Sequence, residues 1–248
     1  MIWKFGLLGK SLEHSFSPEY FNNKFHFLSL PHSYEKIEVP DLKDIRNIVT
    51  KKGLNGFNVT IPYKEEIIPF LDQLTDEAVA VGAVNCVVIK DNNWIGHNTD
   101  IGGFEKSILP FLENHYPRAL IVGTGGASKA IAYVLESKGI TVFYLTRTPQ
   151  QKNHLGYQDI DASSMMHFPL IVQCTPLGTW PNIDALPNLP YEGLTQQHYL
   201  FDLIYNPSET AFLKKGIDKG CQVQNGIRML EIQADLSWDF WKQHLTTS

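Results

Sequence analysis

Residues 119–135 read "ALIVGTGGASKAIAYVL": a short apolar run, then Gly123, Thr124, Gly125, Gly126 and Ala127, then apolar residues at helical spacing. Strand, glycine loop and helix follow one another in that order. Glycines at such a junction let the backbone approach a pyrophosphate and leave the N–H groups of the helix start pointing at it. A tight strand-to-helix turn without a ligand has the same pattern; here a further strand-like run, "TVFYLTR", follows and completes a dinucleotide-binding unit. A loop selective for NAD would place an acid at the end of that strand to bind the ribose hydroxyls. Thr146, Arg147 and Thr148 stand there instead, with Lys152 nearby. Cation and hydroxyls suit a phosphate, which favours NADP as cofactor.

Outward from this loop the chain keeps alternating. After residue 118 come "LIVQCTP", "YLFDLIY", the helical "TAFLKKGIDKG" and a short "CQVQNG". Strands that are apolar without strict alternation suit a sheet covered on both faces. The first hundred residues have a strand–helix rhythm of their own: "IWKFGLLG", a helix from Pro18 to about Phe27, "HSYEKIEV", and "DLKDIRNIVTKKG". The last reads as a helix capped by Asp41 and closed by two lysines and Gly53. "GFNVTIP", a short helix over Tyr63 to Leu71, and the hairpin-like "NCVVIKDNNWIGHN" complete this half. The expectation is an α/β fold of two lobes. Residues 1–99 form a substrate-binding domain with a mostly parallel sheet, and residues 100–227 a Rossmann-like NADP-binding domain. A C-terminal helix over 228–248, with Leu230, Ala234, Trp238 and Trp241 at helical spacing, packs back on the first. Two lobes predict a cleft that closes about the segments Thr99 to Gly103 and Gln224 to Ile227.

Composition narrows the function classes. With 43% hydrophobic and 19% charged residues and no long apolar run, the 248-residue chain reads as globular, with no membrane partner. The opening residues lack a sustained apolar core with a cleavage site, so the cytoplasm is the expected compartment. Cys86, Cys174 and Cys221 are three and widely spaced, which suits neither a disulfide framework nor a metal site. A formal charge of −5 without a basic stripe argues against nucleic acid. A small-molecule substrate remains as the partner class; composition does not decide between a monomer and a homodimer, which are the two expected states.

The first half collects groups suited to a polyhydroxylated acid. Ser15 and Ser17 in "HSFSP" fall on one side of an extended chain and can bind a carboxylate without adding charge. Ser17 before Pro18 equally fits a helix cap. Asn58, Thr60 and Asn85 place donors and acceptors at strand ends, where open α/β sheets bind ligands. Reduction of a ketone by hydride makes an alkoxide that needs a proton, so an acid/base group is required beside that oxygen. Lys64 and Asp100 are the candidates, because a desolvated lysine can trade its proton and a carboxylate beside it keeps the ammonium oriented. Spacing alone leaves Lys64 open as a surface lysine beside Glu65 and Glu66, and Asp100 as the first-turn acid of a helix.

These residues together resemble the shikimate dehydrogenase family. "HSFSP" is similar to its S-x-S motif, "NVTIPYKE" to N-V-T-x-P-x-K, "GAVNC" to G-A-V-N-T and "GHNTD" to G-x-N-T-D. "GTGGAS" with "TRT", "CTPLG", "DLIYNPSETAFL" and "NGIRMLEIQA" follow in family order over nearly the whole chain. The resemblance implies reversible NADP-dependent reduction of 3-dehydroshikimate to shikimate, with Lys64 and Asp100 as the catalytic pair. It implies substrate contacts at Ser15, Ser17, Asn58, Thr60, Asn85, Tyr205 and Gln233. Cofactor contacts fall at Gly123 to Ala127, Thr146 to Thr148, Leu203 and Gly226, with Asp76 near the nicotinamide end; no metal is implied. Two alternatives stand beside it: an NAD-using quinate/shikimate dehydrogenase, and a non-catalytic NADP-binding regulator. The chain departs from the family at Cys86, where threonine is frequent, at Gln173, where asparagine is, and at Gln151, where a second arginine is. Ser17, where quinate-accepting relatives tend to carry threonine, leans toward shikimate.

Overall fold

The computed structural model describes residues 1–112 and 116–246. The chain divides into two compact units, Met1–Asp100 with Gln233–Ser248, and Ile101–Ile232.

In the first unit, β1 (Lys4–Gly9), α1 (Ser17–Phe27), β2 (Ser33–Glu38), α2 (Ile45–Lys52) and β3 (Gly56–Val59) form the expected strand–helix alternation. They are followed by β4 (Gln73–Leu74), α3 (Asp76–Val81), β5 (Cys86–Lys90) and β6 (Asn93–His97). The sheet order is β2-β1-β3-β5-β6-β4. Pairs β1/β2, β1/β3 and β4/β6 are parallel, and the β5–β6 hairpin pairs antiparallel with itself and with β3. Because the chain steps from β1 to β2 on one side and to β3 on the other, the carboxyl ends of β1 and β3 flank a topological switch point, where α/β sheets bind ligands. Both faces are covered. Leu8, Phe57, Val59 and Val87 pack with Ile45, Val49 and Trp94 on one side, while Phe5, Leu7, Cys86 and Val88 pack with Phe21, Phe25, Trp238 and Trp241 on the other.

Helix α4 (Asp100–Ile108), whose first residue belongs to the first unit, opens the second and leads to β7 (Arg118–Val122), α5 (Gly126–Ser137), β8 (Thr141–Leu145), β9 (His154–Leu155), β10 (Leu170–Gln173), β11 (Tyr199–Asp202), α6 (Ala211–Ile217) and β12 (Gln222–Gln224). All pairings are parallel, in the order β12-β11-β10-β7-β8-β9, a doubly wound sheet whose switch point lies between β7 and β10. Successive residues of β7 point to opposite faces of the sheet, and both faces are buried. Ala119 and Ile121 face a cluster with Phe104, Ile131 and Phe201, whereas Leu120 and Val122 face one with Met165, Leu200 and Phe212. The unbroken apolar runs therefore mark strands buried on both faces. The last helix, α7 (Ile227–Thr246), carries the division between units at Ile232 and Gln233.

Local expectations differ in three places. The first turn of α2 opens at Asp44 rather than Asp41, and Asp44 makes no side-chain cap bond. Asp41 instead accepts the Lys43 N–H at 3.0 Å, a turn that competes with helix entry. The expected helix over Tyr63 to Leu71 is a run of turns ending in a 3-10 segment, Ile68–Phe70. Tyr63 is pinned there by its hydroxyl on the Val39 carbonyl at 2.7 Å. Ser17 is no helix cap: Phe16 occupies that place without a side-chain bond, and the Ser17 hydroxyl meets the Tyr34 hydroxyl. Strand β4 and helix α3 had no sequence expectation, being too short to show a period.

Candidate active site

The first unit gathers a polar cluster around Asp100. Lys64 reaches it because the turns after β3 are held at both ends: the Tyr63 N–H bonds to the Thr60 carbonyl at 2.9 Å, and the Lys64 carbonyl accepts the Val84 N–H at 2.7 Å. The Lys64 ammonium lies 2.6 Å from Asp100 Oδ2, with side-chain exposures of 16% and 6%. This is a charge-assisted bond withdrawn from bulk water, unlike a surface pair of small worth. Asp100 also opens α4, so its carboxylate sits in a favourable first turn while pairing with Lys64. Its second oxygen accepts from Asn85 Nδ2 at 2.7 Å.

Asn85 is itself oriented. Its Oδ1 accepts the Thr99 N–H at 2.7 Å and the Thr99 hydroxyl at 3.1 Å, and its carbonyl accepts from Val59 N at 2.9 Å. Asn58 donates to that same Asn85 carbonyl at 3.0 Å and accepts the Tyr34 hydroxyl at 2.8 Å. Gln233 Oε1 stands 3.4 Å from Asn85 Nδ2, so α7 contributes to the cluster. Burial raises the Tyr34 phenol well above its ordinary value, so it stays a neutral hydroxyl. Ser15 and Thr60 are half-buried at the carboxyl ends of β1 and β3. Gly9 permits this approach, because a Cβ there would lie 2.5 Å from Leu12 Cδ2 and 2.8 Å from Thr60 Cγ2. The structure thus joins Lys64, Asp100, Asn85, Asn58, Gln233 and Ser17 by bonds through Thr99 and Tyr34. Asp76 is exposed in the first turn of α3, outside this bond network. Tyr205 falls in the second unit, half-buried.

In the second unit the glycine loop follows β7. Gly123 has φ +104°, and a Cβ there would be strained and 3.0 Å from Thr175 Cγ2 of the loop after β10. Gly125 stands at the N-cap of α5 with no side-chain cap bond, and a Cβ on it would enter open space. The first turn of α5 therefore faces a space that its own side chains leave clear, as a bound pyrophosphate requires. At the end of β8, Thr146 is buried and accepts the Thr148 N–H at 3.3 Å, while Arg147 and Lys152 are exposed. Gln173 ties down the loop after β10: its Oε1 accepts the Thr175 N–H and hydroxyl, both at 2.9 Å, and its amide donates to the Leu177 carbonyl at 3.1 Å. Leu203 and Gly226 pack backbone to backbone, since a Cβ on Gly226 would come within 2.0 Å of the Leu203 oxygen.

Beside Leu203, the Asp202 carboxyl is fully buried and accepts from Thr210 Oγ1 at 2.6 Å and Ile204 N at 3.0 Å. Burial outweighs these bonds and raises its pKa to about 6. A carboxyl raised on folding binds its proton more tightly when folded, so ionising it costs stability. That cost is absent below about pH 4 and complete above about pH 6 to 7, amounting to about 3 kcal/mol for a two-unit rise. Urea unfolding at both pH values should show the wild type losing about that much more than Asp202→Asn. Parallel pH dependences would show Asp202 to be ordinary.

Sequence reasoning passed over Tyr34, Thr99 and Ser237. Tyr34 is inside a strand read only for its pattern, and Thr99 adjoins Asp100. Ser237 stands four residues after Gln233 on a helix, a spacing that puts both on one face.

The chain matches the family model described as the shikimate dehydrogenase substrate binding domain over residues 7–87. It is 36% identical to the shikimate dehydrogenase (NADP(+)) of Desulforamulus reducens, over 95% of this chain and 88% of the relative. A crystal structure of shikimate dehydrogenase 1 from Peptoclostridium difficile superposes with a TM-score of 0.86 at 33% identity, covering 97% of this chain and 92% of that one. The shikimate 5-dehydrogenase of Thermus thermophilus, in complex with NADP(H) and shikimate, gives 0.85 at 30% identity, with 97% and 94% coverage.

Proposed function

Because the chain belongs to the shikimate dehydrogenase family, we propose that it catalyses the reversible NADP-dependent reduction of 3-dehydroshikimate to shikimate, on the route to aromatic amino acids. The observation that carries this reading is the Lys64–Asp100 pair, an ammonium held at 2.6 Å from a buried carboxylate in a cluster of hydroxyls and amides.

NADP, when bound, supplies or accepts the hydride. Lys64 handles the proton: in the reduction its ammonium donates to the forming alkoxide, and in the oxidation its amine takes the hydroxyl proton. Asp100 holds Lys64 in one place and accepts from a substrate hydroxyl, with Asn85 fixing the carboxylate's second oxygen. Ser15 and Ser17 bind the substrate carboxylate through hydroxyls, which leaves the charge balance of the pair undisturbed. Thr60 and Gln233 supply further polar contacts to the ring, with Tyr205 as another contact, while Asn58, expected there too, has both amide hydrogens on Ser237 and the Asn85 carbonyl and backs the cluster from within. Asp76 is assigned to the cofactor on family likeness. The first turn of α5, from Gly125 to Ala127, is suited to the pyrophosphate, and Thr146, Arg147 and Thr148 to the adenosine phosphate.

The test is the appearance of reduced nicotinamide on mixing the protein with shikimate or quinate and NADP+ or NAD+. Saturable turnover with shikimate and NADP+ supports the reading. Preference for NAD+ or quinate would select the alternative enzyme; on the NAD+ side stands the neutral Gln151, four residues after Arg147. Binding of NADP+ without turnover of any acid would select the regulator. Within the same assay, Arg147→Ala should raise KM for NADP+ about ten- to a hundredfold and leave that for NAD+ nearly unchanged, since one charge-assisted phosphate contact is lost. Equal effects on both cofactors would detach Arg147 from the phosphate.

A further inference from the structure

We propose that Ser237 is a positioning residue for the reaction, setting the orientation of Asn58 and Thr99 and through them the Asn85–Asp100–Lys64 chain. The proposal rests on the activity put forward above.

Ser237 is fully buried on α7, and its hydroxyl is the point where three elements meet. From β3, Asn58 Nδ2 donates to Ser237 Oγ at 2.8 Å. Ahead of α4, Thr99 Oγ1 lies 3.1 Å from it. Within α7, Ser237 Oγ donates to the Gln233 carbonyl at 2.9 Å. From β5, the Cys86 thiol adjoins it closely enough for the hydroxyl to bond the sulfur.

The proton inventory makes the site directional. Both hydrogens of the Asn58 amide are used, one on Ser237 and one on the Asn85 carbonyl, and its oxygen is used by Tyr34. Asn58 can therefore take only one amide orientation. Thr99 has a single hydroxyl proton and lies within 3.1 Å of both Asn85 Oδ1 and Ser237 Oγ. With its own proton on the Gln233 carbonyl, Ser237 Oγ can only accept, so the Thr99 proton is divided between Asn85 Oδ1 and Ser237 Oγ. Without the serine, a buried Asn58 N–H has no acceptor and the side chain is free to turn over. The Asn85 amide, whose nitrogen holds Asp100 at 2.7 Å, then loses the constraint on its neighbours on both sides. A site loosened in this way loses rate more than affinity, because the proton donor is no longer held in reach.

Cys86 offers a rescue. Its Cβ substituent already reaches Ser237, so threonine at 86 would bring a hydroxyl to the same place from the strand instead of the helix.

Steady-state kinetics of wild type, Ser237→Ala, Cys86→Thr and Ser237→Ala with Cys86→Thr test this. Ser237→Ala should lower kcat about tenfold with KM for NADP+ unchanged, and the double variant should recover most of that loss. Cys86→Thr alone should stay near wild type. A folded Ser237→Ala with wild-type kcat overturns the proposal, as does a double variant no better than the single. Should Ser237→Ala fail to fold, Ser237→Cys, which keeps the volume and weakens the acceptor, is read in its place with the same expectation. Wild-type turnover reports on the proposed activity itself, and only the ratio of variant to wild type reports on Ser237.

Discussion

Lys64→Ala is expected to lower kcat by about a hundred- to ten-thousandfold, the range that positioned proton transfer contributes. The ammonium is the donor nearest Asp100, and the other polar groups bonded to that carboxylate or its neighbours are amides and hydroxyls that do not exchange protons readily near neutrality. Affinity for NADP+ should be unchanged, and affinity for shikimate should change little, because the hydroxyls and amides that bind the acid remain. A fall in kcat with constant KM is the signature of a group that acts on the reacting proton. The fold should survive. The cost of stranding a buried carboxylate, about 3–5 kcal/mol for a fully buried pair, is reduced here because Asn85 continues to donate to it and the Lys64 side chain is 16% exposed. Lys64→Met, which keeps the side-chain volume, separates loss of the proton from loss of packing and should be as slow.

Trp241→Ala should destabilise the protein by about 3–5 kcal/mol. Its indole is fully buried, stacked on Phe5 at 4.3 Å between centroids, and donates from Nε1 to the Val87 carbonyl at 2.9 Å. Gly56 makes room for it, since a Cβ there would stand 2.7 Å from Nε1. The substitution removes a large side chain, leaves a cavity and takes one donor from the Val87 carbonyl. Trp241 also lies four and eight residues beyond Ser237 and Gln233, so it anchors the helix face that reaches the polar cluster. Activity of the folded fraction should therefore fall as well. Trp241→Phe, which retains a ring over Phe5 and loses only the donor, should cost less. Urea midpoints measure both, and a loss under about 1 kcal/mol for the alanine variant would show that the helix is held by other contacts.

The sequence carried the second sheet well because its strands are buried on both faces and so appear as unbroken apolar runs, and because Gly123 is required by a left-handed backbone. The Lys64–Asp100 pair was readable as two candidate residues, with their convergence left to the fold. Their side chains meet across thirty-six positions only because the Lys64 carbonyl is tied to Val84 and Asn85 bridges to Asp100. Backbone ties of that kind leave no pattern in residue types. Asp41 misled for a related reason: its carboxylate bonds two residues on, and helix entry shifts to Asp44. Ser237 was hidden by the apolar stripe around it, where Trp238 and Trp241 dominate the helical period.

The role of Lys64 is tested most directly by single-turnover formation of NADPH from shikimate, followed after rapid mixing for wild type and Lys64→Ala from about pH 6 to about pH 10. Proton transfer through Lys64 predicts a wild-type rate at least about a hundredfold faster near neutrality, with the gap narrowing as hydroxide replaces the missing base. Equal single-turnover rates for the two proteins at neutral pH would contradict it.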